Sequence, residues 1–258
     1  MAKPVQLHRL GLLPYHDAWG WQRRTAEAVR AGGPEALAVL QHPPVYTFGR
    51  RVRPENILVT PADAEVVESD RGGDVTYHGP GQLVAYPILD LRRRNLGAAD
   101  YVRLLEEAMI RTAAAFGVEA CRIPGRPGVW VDAASIKPAA KNKATPAKLG
   151  AVGVRVQSGV ATHGLALNVT TDLSRFDAIV PCGLAGIRVT SLQRELGYAP
   201  CFDAAEDTLI AAFELVFDCC LDSARATKSS QATIVHGPSL NVGEGRAAGV
   251  RPAVRLGR

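Results

Sequence analysis

The chain has 258 residues, and its 47% hydrophobic content is enough to bury one substantial core, so a single domain is expected. It carries no apolar run near the roughly 18 residues that span a bilayer and no apolar N-terminal segment typical of export, so we expect a cytoplasmic protein without a membrane partner. The formal net charge of +5 arises entirely after residue 223, where six basic residues face one acidic residue, so no nucleic-acid partner is expected.

The first third of the chain combines short strands with one helix. Apolar residues at helical spacing predict a helix over Tyr15–Ala31. The predicted strands are Val5–Leu12, Leu37–Leu40, Val45–Phe48 and Glu65–Glu68. Prolines in Gln41–Pro44 separate the second strand from the third, because proline cannot donate to a sheet ladder. A glycine-rich loop over Arg71–Gly81 follows.

The rest of the chain adds two helices and a hairpin. The predicted helices are Gly97–Phe116, which is amphipathic, and Asp203–Cys220, the last core helix. Strands are predicted at Gln82–Leu91 and Gly128–Val131, and the hairpin arms at Lys148–Gln157 and His163–Val169. Because the strands cluster and the helices segregate without a regular βαβ repeat, the sequence indicates an α+β fold.

Two segments differ in composition from this body. Ala133–Ala147 contains three lysines and few large apolar residues, so we expect a flexible surface insertion there, with a basic surface that binds an acidic carrier protein as the alternative. Residues 224–258 are basic and rich in small residues, which predicts a mobile tail. The expected organisation is one domain over residues 1–223, with the insertion at about 133–147, and a C-terminal tail over 224–258.

Cys182 is the cysteine that points to chemistry, because proline and glycine flank it in the turn Val180–Leu184. A thiol attacks as the thiolate, and its usual pKa of about 8.5 leaves few thiols ionised at neutral pH. Lys148 is a candidate to stabilise the thiolate as an ammonium or to accept its proton as an amine. This combination suggests covalent acyl transfer. The other four cysteines show no CxxC spacing, so neither zinc nor a disulfide framework is expected.

The loop Arg71–Gly81 contains four glycines, which let main-chain amides approach a ligand closely. It lacks the spacing of a phosphate-binding P-loop, so an acyl chain or a carrier arm is an equally good occupant. His78 in this loop and the more distant His163 are candidate proton carriers, with a structural hydrogen-bonding role as the alternative for each.

Four ordered blocks of sequence resemble the octanoyltransferases of lipoate synthesis, the LipB family. The blocks are His42–Gly49, Arg71–Pro87, His163–Val169, and Val180–Leu184 followed by Val189–Leu192. The resemblance covers roughly residues 5–220. It implies an α+β fold, a single mixed-sheet domain similar to the catalytic domain of biotin and lipoate protein ligases.

The resemblance also implies roles for individual residues. The acyl-accepting nucleophile of the family corresponds to Cys182, and its acid/base partner corresponds to Lys148. The substrate-binding residues that it implies are Arg71, Gly72, Gly73, Asp74, Val75, Thr76, Tyr77 and His78, then Ala151, Val152 and Gly153, and then Gly164, Leu165 and Ala166. Neither a metal nor another cofactor is implied.

One departure from the family pattern affects the assignment of the lysine. Family members pass almost directly from the strand ending near Val131 to the lysine, whereas this chain inserts Ala133–Ala147. Three lysines of the insertion compete for the role: Lys137, Lys141 and Lys143. Lys148 is preferred because Leu149–Arg155 follows it in the family's order.

The implied reaction is ping-pong transfer of an octanoyl group from octanoyl-acyl carrier protein, through a thioester on Cys182, to a lysine of a lipoyl domain. The implied acceptors are the lipoyl domains of 2-oxoacid dehydrogenase E2 subunits and the glycine-cleavage H protein. Two alternatives stay open. One is an ATP-dependent lipoate or biotin protein ligase on the same fold, and the other is a non-catalytic module that binds an acyl carrier.

Overall fold

The computed structural model describes residues 3–59, 61–131, 146–180 and 187–223. All of them belong to one compact unit, Met1–Ala224. Cys182, most of the expected insertion and the expected C-terminal tail lie outside the described residues. Ala147, the last residue assigned to the insertion, is instead the first residue of a strand.

The described residues form four α-helices: α1 (Tyr15–Arg30), α2 (Ala98–Ala115), α3 (Leu192–Leu196) and α4 (Phe202–Phe217). Two 3-10 turns accompany them, at Pro54–Asn56 and Leu173–Ala178. The buried residues of α1 recur every three or four positions, which is the spacing of one helix face. No helix in the described ranges is both long and apolar enough to cross a membrane.

Twelve strands occur in the described part of the chain. They are β1 (Lys3–Leu12), β2 (Glu35–Gln41), β3 (Val45–Phe48), β4 (Glu65–Glu68), β5 (Val75–His78), β6 (Gln82–Ile88), β7 (Cys121–Ile123), β8 (Arg126–Val131), β9 (Ala147–Gln157), β10 (Val160–Asn168), β11 (Arg188–Val189) and β12 (Cys219–Ser223).

Nine strands make a large mixed sheet in the order β12-β1-β2-β6-β10-β9-β8-β7, with β11 added beside β9. β1 pairs in parallel with β2 and β12, whereas β2, β6, β10, β9, β8 and β7 are successively antiparallel. A second, three-stranded sheet has the order β4-β3-β5. The expected single mixed sheet is thus accompanied by a smaller one.

Helices cover the two faces of the large sheet. On one face, α2 and α4 contribute Met109 and Phe213 to the main core, where they join Leu167 of β10. On the other face, Ala18 of α1 packs with Ala166 of β10. Tyr15, at the start of α1, packs instead against Val45 and Val67 of the small sheet. The small sheet, the start of α1 and the large sheet therefore meet on the face opposite α2.

The predicted elements differ from the structure in several short segments. The predicted glycine-rich loop over Arg71–Gly81 contains the strand β5, because Val75–His78 pairs with β3. The last helix ends at Phe217 and not at Cys220, since Asp218 takes a left-handed conformation with φ of 46°. Four short elements were not predicted: strands β7, β11 and β12 and the helix α3.

Candidate functional site

A bulge in β9 turns Lys148 toward a pocket. Val129 of β8 pairs with Gly150 of β9, and the next residue, Trp130, pairs with Lys148. Leu149 is therefore an extra residue on β9, and it reverses the alternation of side chains along the strand. Leu149 packs in the main core, whereas Lys148 lines a pocket on the opposite face. The Lys148 side chain is largely buried, and its Nζ lies 5.3 Å from the centre of the Trp130 ring.

The pocket lies among the large sheet, the small sheet and the start of α1 and opens to solvent, and the space within it and at its mouth is about 540 Å³. The residues from the sequence prediction that line it are Arg71, Gly73, Asp74, Val75, Thr76, His78, Lys148, Ala151, Val152, Gly153, Gly164, Leu165 and Ala166. Tyr15, Tyr86 and His163 also line it. Three predicted segments that are distant in sequence thus meet at one place.

Small residues form some of the pocket wall that the large sheet provides. Ala151 of β9 pairs with Ala166 of β10, and Gly153 pairs with Gly164. Position 164 excludes any side chain, because a Cβ there would lie 2.1 Å from the carbonyl oxygen of Ala85. The lining is more apolar than polar. This surface suits a linear acyl chain, which needs length and apolar contact.

Arg71 is buried and holds the loop over residues 71–74 against β3. Its Nε donates to the Thr47 hydroxyl at 2.9 Å, and its Nη2 donates to the carbonyl oxygens of Thr47 and Asp74 at 2.5 and 2.6 Å. Its Nη1 donates to the carbonyl of Gly72 at 3.0 Å. The guanidinium therefore shapes the pocket wall and places a fixed positive charge beside it.

His78 is a neutral imidazole at the pocket. Its Nδ1 donates to Gln82 Oε1 at 2.6 Å, since Gln82 Nε2 donates elsewhere, to Asn168 Oδ1 at 2.9 Å. Burial, followed by the repulsion of His42, lowers the pKa of His78 to about 3. Because Nδ1 carries the proton, Nε2 is a hydrogen-bond acceptor. Asn168 in turn donates to Thr190, whose amide donates to the carbonyl of Lys148, so the network reaches β9.

Tyr15 and Tyr86, which sequence reasoning missed, are held by a hydrogen-bonded layer behind the pocket. The Nδ1 of His42 donates to the Leu13 carbonyl at 2.6 Å, so its Nε2 accepts from the Tyr86 hydroxyl at 2.8 Å. The Tyr15 hydroxyl bonds with Ser69 Oγ at 2.7 Å. The Tyr86 hydroxyl thus donates its hydrogen bond to His42, and burial raises the pKa of Tyr86 well above its usual value. Tyr86 therefore presents an uncharged ring to the pocket.

His163 occupies a strained position on β10, with φ of 58° for a residue that has a side chain. Its Nε2 donates to Asp70 Oδ1 at 2.6 Å, and its amide donates to Gln22 Oε1 at 2.7 Å. Asp70 also forms an ion pair with Arg155. Burial, followed by the positive charges of Arg71 and Arg155, lowers the pKa of His163. The ring is therefore a neutral, fixed part of the wall.

Buried neutral histidines make stability depend on pH. Burial lowers the pKa of His42 to about 4, so the unfolded chain binds a proton more tightly than the folded chain does. The stability that the neutral His42 ring contributes is fully present above pH 6.5 and is lost as the pH falls toward 4. From this residue alone we expect the free energy of unfolding to fall by about 2 kcal/mol between pH 7.5 and 5.0.

Urea unfolding of the wild type and of His42→Asn at several pH values measures this effect. The Asn variant keeps a donor for the Leu13 carbonyl. It should be less stable at pH 7.5, and its deficit should shrink by about 2 kcal/mol at pH 5.0. Parallel curves for the two proteins would show that His42 does not titrate in this way.

Two residues of the predicted set do not line the pocket. Gly72 lies behind it, where its amide donates to the Val154 carbonyl at 3.0 Å. The Tyr77 ring packs between Tyr46 and Phe176, at 5.1 and 5.6 Å between ring centres, and burial raises its pKa to about 12. Cys182 lies outside the described residues. Within the described ranges, no three His, Cys, Asp or Glu side chains are grouped as metal ligands.

The sequence profile of the lipoyl protein ligase A/B catalytic domain matches residues 14–214. An octanoyltransferase of Mycolicibacterium smegmatis is 47% identical over 210 residues, covering 81% of this chain and 87% of that protein. An octanoyltransferase of Chloroflexus aggregans is 45% identical over 223 residues, covering 84% and 96%.

Solved structures with little sequence identity share the fold. A bi-partite lipoate protein ligase from Thermoplasma acidophilum is similar with a TM-score of 0.63 at 16% identity, covering 86% of each chain. A lipoate-protein ligase A solved with ATP is similar with a TM-score of 0.64 at 16% identity, covering 85% of this chain and 88% of that one.

The fold and the matched profile define a member of the lipoyl protein ligase A/B catalytic domain family. Within that family, the chain belongs with the octanoyltransferases, which are acyltransferases. The resemblance noted in the sequence, the α+β class and the likeness to lipoate protein ligases are therefore confirmed.

Proposed function

We propose that this chain transfers an octanoyl group from octanoyl-acyl carrier protein to a lysine of a lipoyl domain, through a thioester on Cys182. The observation that carries the proposal is the position of Lys148. This lysine is buried in a mainly apolar pocket, and the segments predicted from the sequence to bind substrate line that pocket. The identity of 45–47% to octanoyltransferases supports the substrate.

The chain on both sides of Cys182 is anchored next to this pocket. On the N-terminal side, the Val180 amide donates to the Asn56 carbonyl at 2.8 Å. Asn56 in turn donates to the carboxylate of Asp74, which lines the pocket, at 2.5 Å. One residue, Pro181, separates Val180 from Cys182, so their Cα atoms are at most about 7 Å apart.

On the C-terminal side, the chain returns directly to the lysine. β11 pairs with the start of β9, with Val189 opposite Lys148, and the Thr190 amide donates to the Lys148 carbonyl at 2.9 Å. Chain connectivity therefore supports a Cys182–Lys148 pair at the edge of the pocket.

In the first half-reaction, Lys148 as an amine takes the proton of Cys182. The thiolate attacks the thioester carbonyl of the octanoyl donor and forms a new carbon–sulfur bond. When the tetrahedral intermediate collapses, the bond to the carrier sulfur breaks, and the departing thiolate takes a proton from the Lys148 ammonium. The products are octanoyl-Cys182, a free carrier thiol and a neutral lysine.

In the second half-reaction, the acceptor lysine enters as a free amine after losing one proton to solvent. Its nitrogen attacks the octanoyl carbonyl, and Lys148 accepts the second proton from that nitrogen. The bond to Cys182 then breaks and leaves a thiolate beside the Lys148 ammonium. Because an amide replaces a thioester, the exchange runs without nucleotide hydrolysis.

The remaining pocket residues assist without titrating near neutral pH. The lowered pKa values of His78 and His163 keep both rings neutral, so they do not compete with Lys148 for the proton. The fixed positive charge of Arg71 favours the anionic sulfur and the oxyanion that forms during attack.

An ATP-dependent ligase is the second candidate function, because solved lipoate protein ligases share this fold. At 16% identity, that likeness extends to the fold alone, whereas the identity to octanoyltransferases covers most of the chain. The two candidate functions can be distinguished directly. Only the transferase forms an octanoyl thioester on the enzyme when it is given octanoyl-acyl carrier protein without ATP.

The test is the intact mass of the wild type and of Cys182→Ser after incubation with octanoyl-acyl carrier protein and no ATP. We expect an octanoyl adduct on the wild type that hydroxylamine removes and that an added lipoyl domain discharges. The serine variant should carry no hydroxylamine-labile adduct. Transfer that appears only with ATP would establish the ligase, and carrier binding without any transfer would establish a binding module.

A further inference from the structure

Three exposed arginines stand next to the pocket wall. They are Arg50, Arg51 and Arg53, which we call the arginine cluster, in the segment that follows β3. The described residues include no salt bridge to any of the three. Their exposure and this lack of carboxylate partners leave the cluster available to an anion from outside.

Backbone hydrogen bonds join the cluster to the loop that lines the pocket. The Arg50 amide donates to the Arg71 carbonyl, and the Arg51 amide donates to the Gly73 carbonyl, both at 3.0 Å. The Arg53 amide donates to the carboxylate of Asp74 at 3.2 Å. Arg71, Gly73 and Asp74 all line the pocket, so each arginine is one hydrogen bond away from a lining residue.

This connection is rigid. Gly49, immediately before the cluster, packs so closely that a Cβ there would lie 2.4 Å from the Gly73 carbonyl oxygen. The guanidinium of Arg71 ties the same loop to Thr47 of β3. The carboxylate of Asp74 accepts from the Arg53 backbone amide and the Asn56 side-chain amide. The backbone that carries the three exposed arginines is thus fixed beside the site.

The chemistry of the two substrates decides which of them such a surface attracts. The acyl donor presents its thioester on a phosphopantetheine arm, so a phosphodiester lies between the carrier and the thioester. The acceptor presents a lysine, which is a cation in water. Arginine binds phosphate through paired N–H donors, and it repels an ammonium group. The cluster therefore favours the donor over the acceptor.

We propose that the arginine cluster is the docking surface for the acyl donor, binding the phosphodiester of its phosphopantetheine arm. This inference rests on the proposed function, since it assigns the surface to the first half-reaction. Charges at the edge of an interface act mainly on encounter rate and salt dependence. The cluster should thus determine how well the carrier is captured and leave the chemical step unchanged.

The test compares two donors in forming octanoyl-enzyme. One is octanoyl-acyl carrier protein, and the other is octanoyl-pantetheine, which lacks both phosphate and protein. In the triple variant Arg50→Glu, Arg51→Glu and Arg53→Glu, we expect the ratio of kcat/KM for the carrier to kcat/KM for octanoyl-pantetheine to fall at least tenfold. We also expect the wild-type decrease of the carrier rate with added salt to flatten.

The matched control reverses three exposed arginines of α1: Arg23→Glu, Arg24→Glu and Arg30→Glu. It makes the same change in net charge, so the donor ratio should stay at the wild-type value. An equal loss in both triple variants would show a general charge effect and overturn the proposal. So would an unchanged ratio in the cluster variant.

Two further outcomes separate this inference from the proposed function. If preformed octanoyl-enzyme of the cluster variant transfers slowly to the lipoyl domain while it forms at the normal rate, the surface binds the acceptor and the donor assignment is wrong. If the wild type forms no octanoyl-enzyme from either donor, the proposed function itself fails, whatever the arginines do.

Discussion

Replacing Lys148 by methionine is expected to slow formation of octanoyl-enzyme by about a thousandfold, the usual contribution of a positioned acid/base group. Methionine keeps much of the apolar stem that packs beside Trp130 and removes the amine. Both half-reactions should slow, because each passes a proton through the same nitrogen. Rapid-quench measurement of octanoyl-enzyme, followed by single-turnover transfer to a lipoyl domain, reports the two steps separately.

Lys148→Arg separates the charge of the lysine from its proton transfer. Arginine keeps a positive charge but does not give up its proton near neutral pH. If Lys148 acts as the acid/base group, the arginine variant should be nearly as slow as the methionine variant. Rates within tenfold of the wild type in Lys148→Met, with an unchanged unfolding curve, would remove Lys148 from the mechanism.

Replacing Arg71 by lysine is expected to lower the free energy of unfolding by about 3 kcal/mol, although the charge is retained. The Arg71 guanidinium donates to four acceptors on Thr47, Gly72 and Asp74. An ammonium on a flexible stem cannot span them, so buried acceptors lose their donors, each at a cost of about 1–3 kcal/mol. Urea unfolding measures the loss. Octanoyl-enzyme formation should fall with it, because the same bonds shape the pocket wall.

The same exchange at an exposed site is the control. Arg24 lies on the surface of α1, and Arg24→Lys should stay within about 0.5 kcal/mol of the wild type. If Arg71→Lys proves as stable as Arg24→Lys, the hydrogen bonds of Arg71 do not hold the wall together, and its charge alone accounts for its place in the pocket.

The pattern of apolar residues predicted the long helices and strands well. The short strands that it missed form because a neighbouring strand pairs with them. The hairpin β9–β10 and the helices α1 and α2 are long and periodic, so their sequences specify them. β5 is only four residues between glycines, and it exists because β3 lies beside it. β12 depends in the same way on β1, its parallel partner at the sheet edge. Neither contact can be read from a local window.

Pocket residues that lie within a sequence motif were predicted. Those that reach the pocket only through tertiary contacts were missed. Val75, Ala151 and Ala166 are in motif segments and do line the pocket. Tyr86 is in the same block as Arg71, but its hydroxyl contact with His42 arises from the pairing of β2 with β6. Tyr15 reaches the pocket only because α1 begins against the small sheet.

The bulge at Leu149 means that the face on which Lys148 lies depends only on the residues of β9 itself. Because side chains alternate along a strand, one added or deleted residue between Lys148 and Ala151 would reverse the parity and direct the amine to the α2 side of the sheet. Residues added before Ala147 do not enter that count. The length of the connection that leads to this strand can therefore vary without changing the face on which the lysine stands.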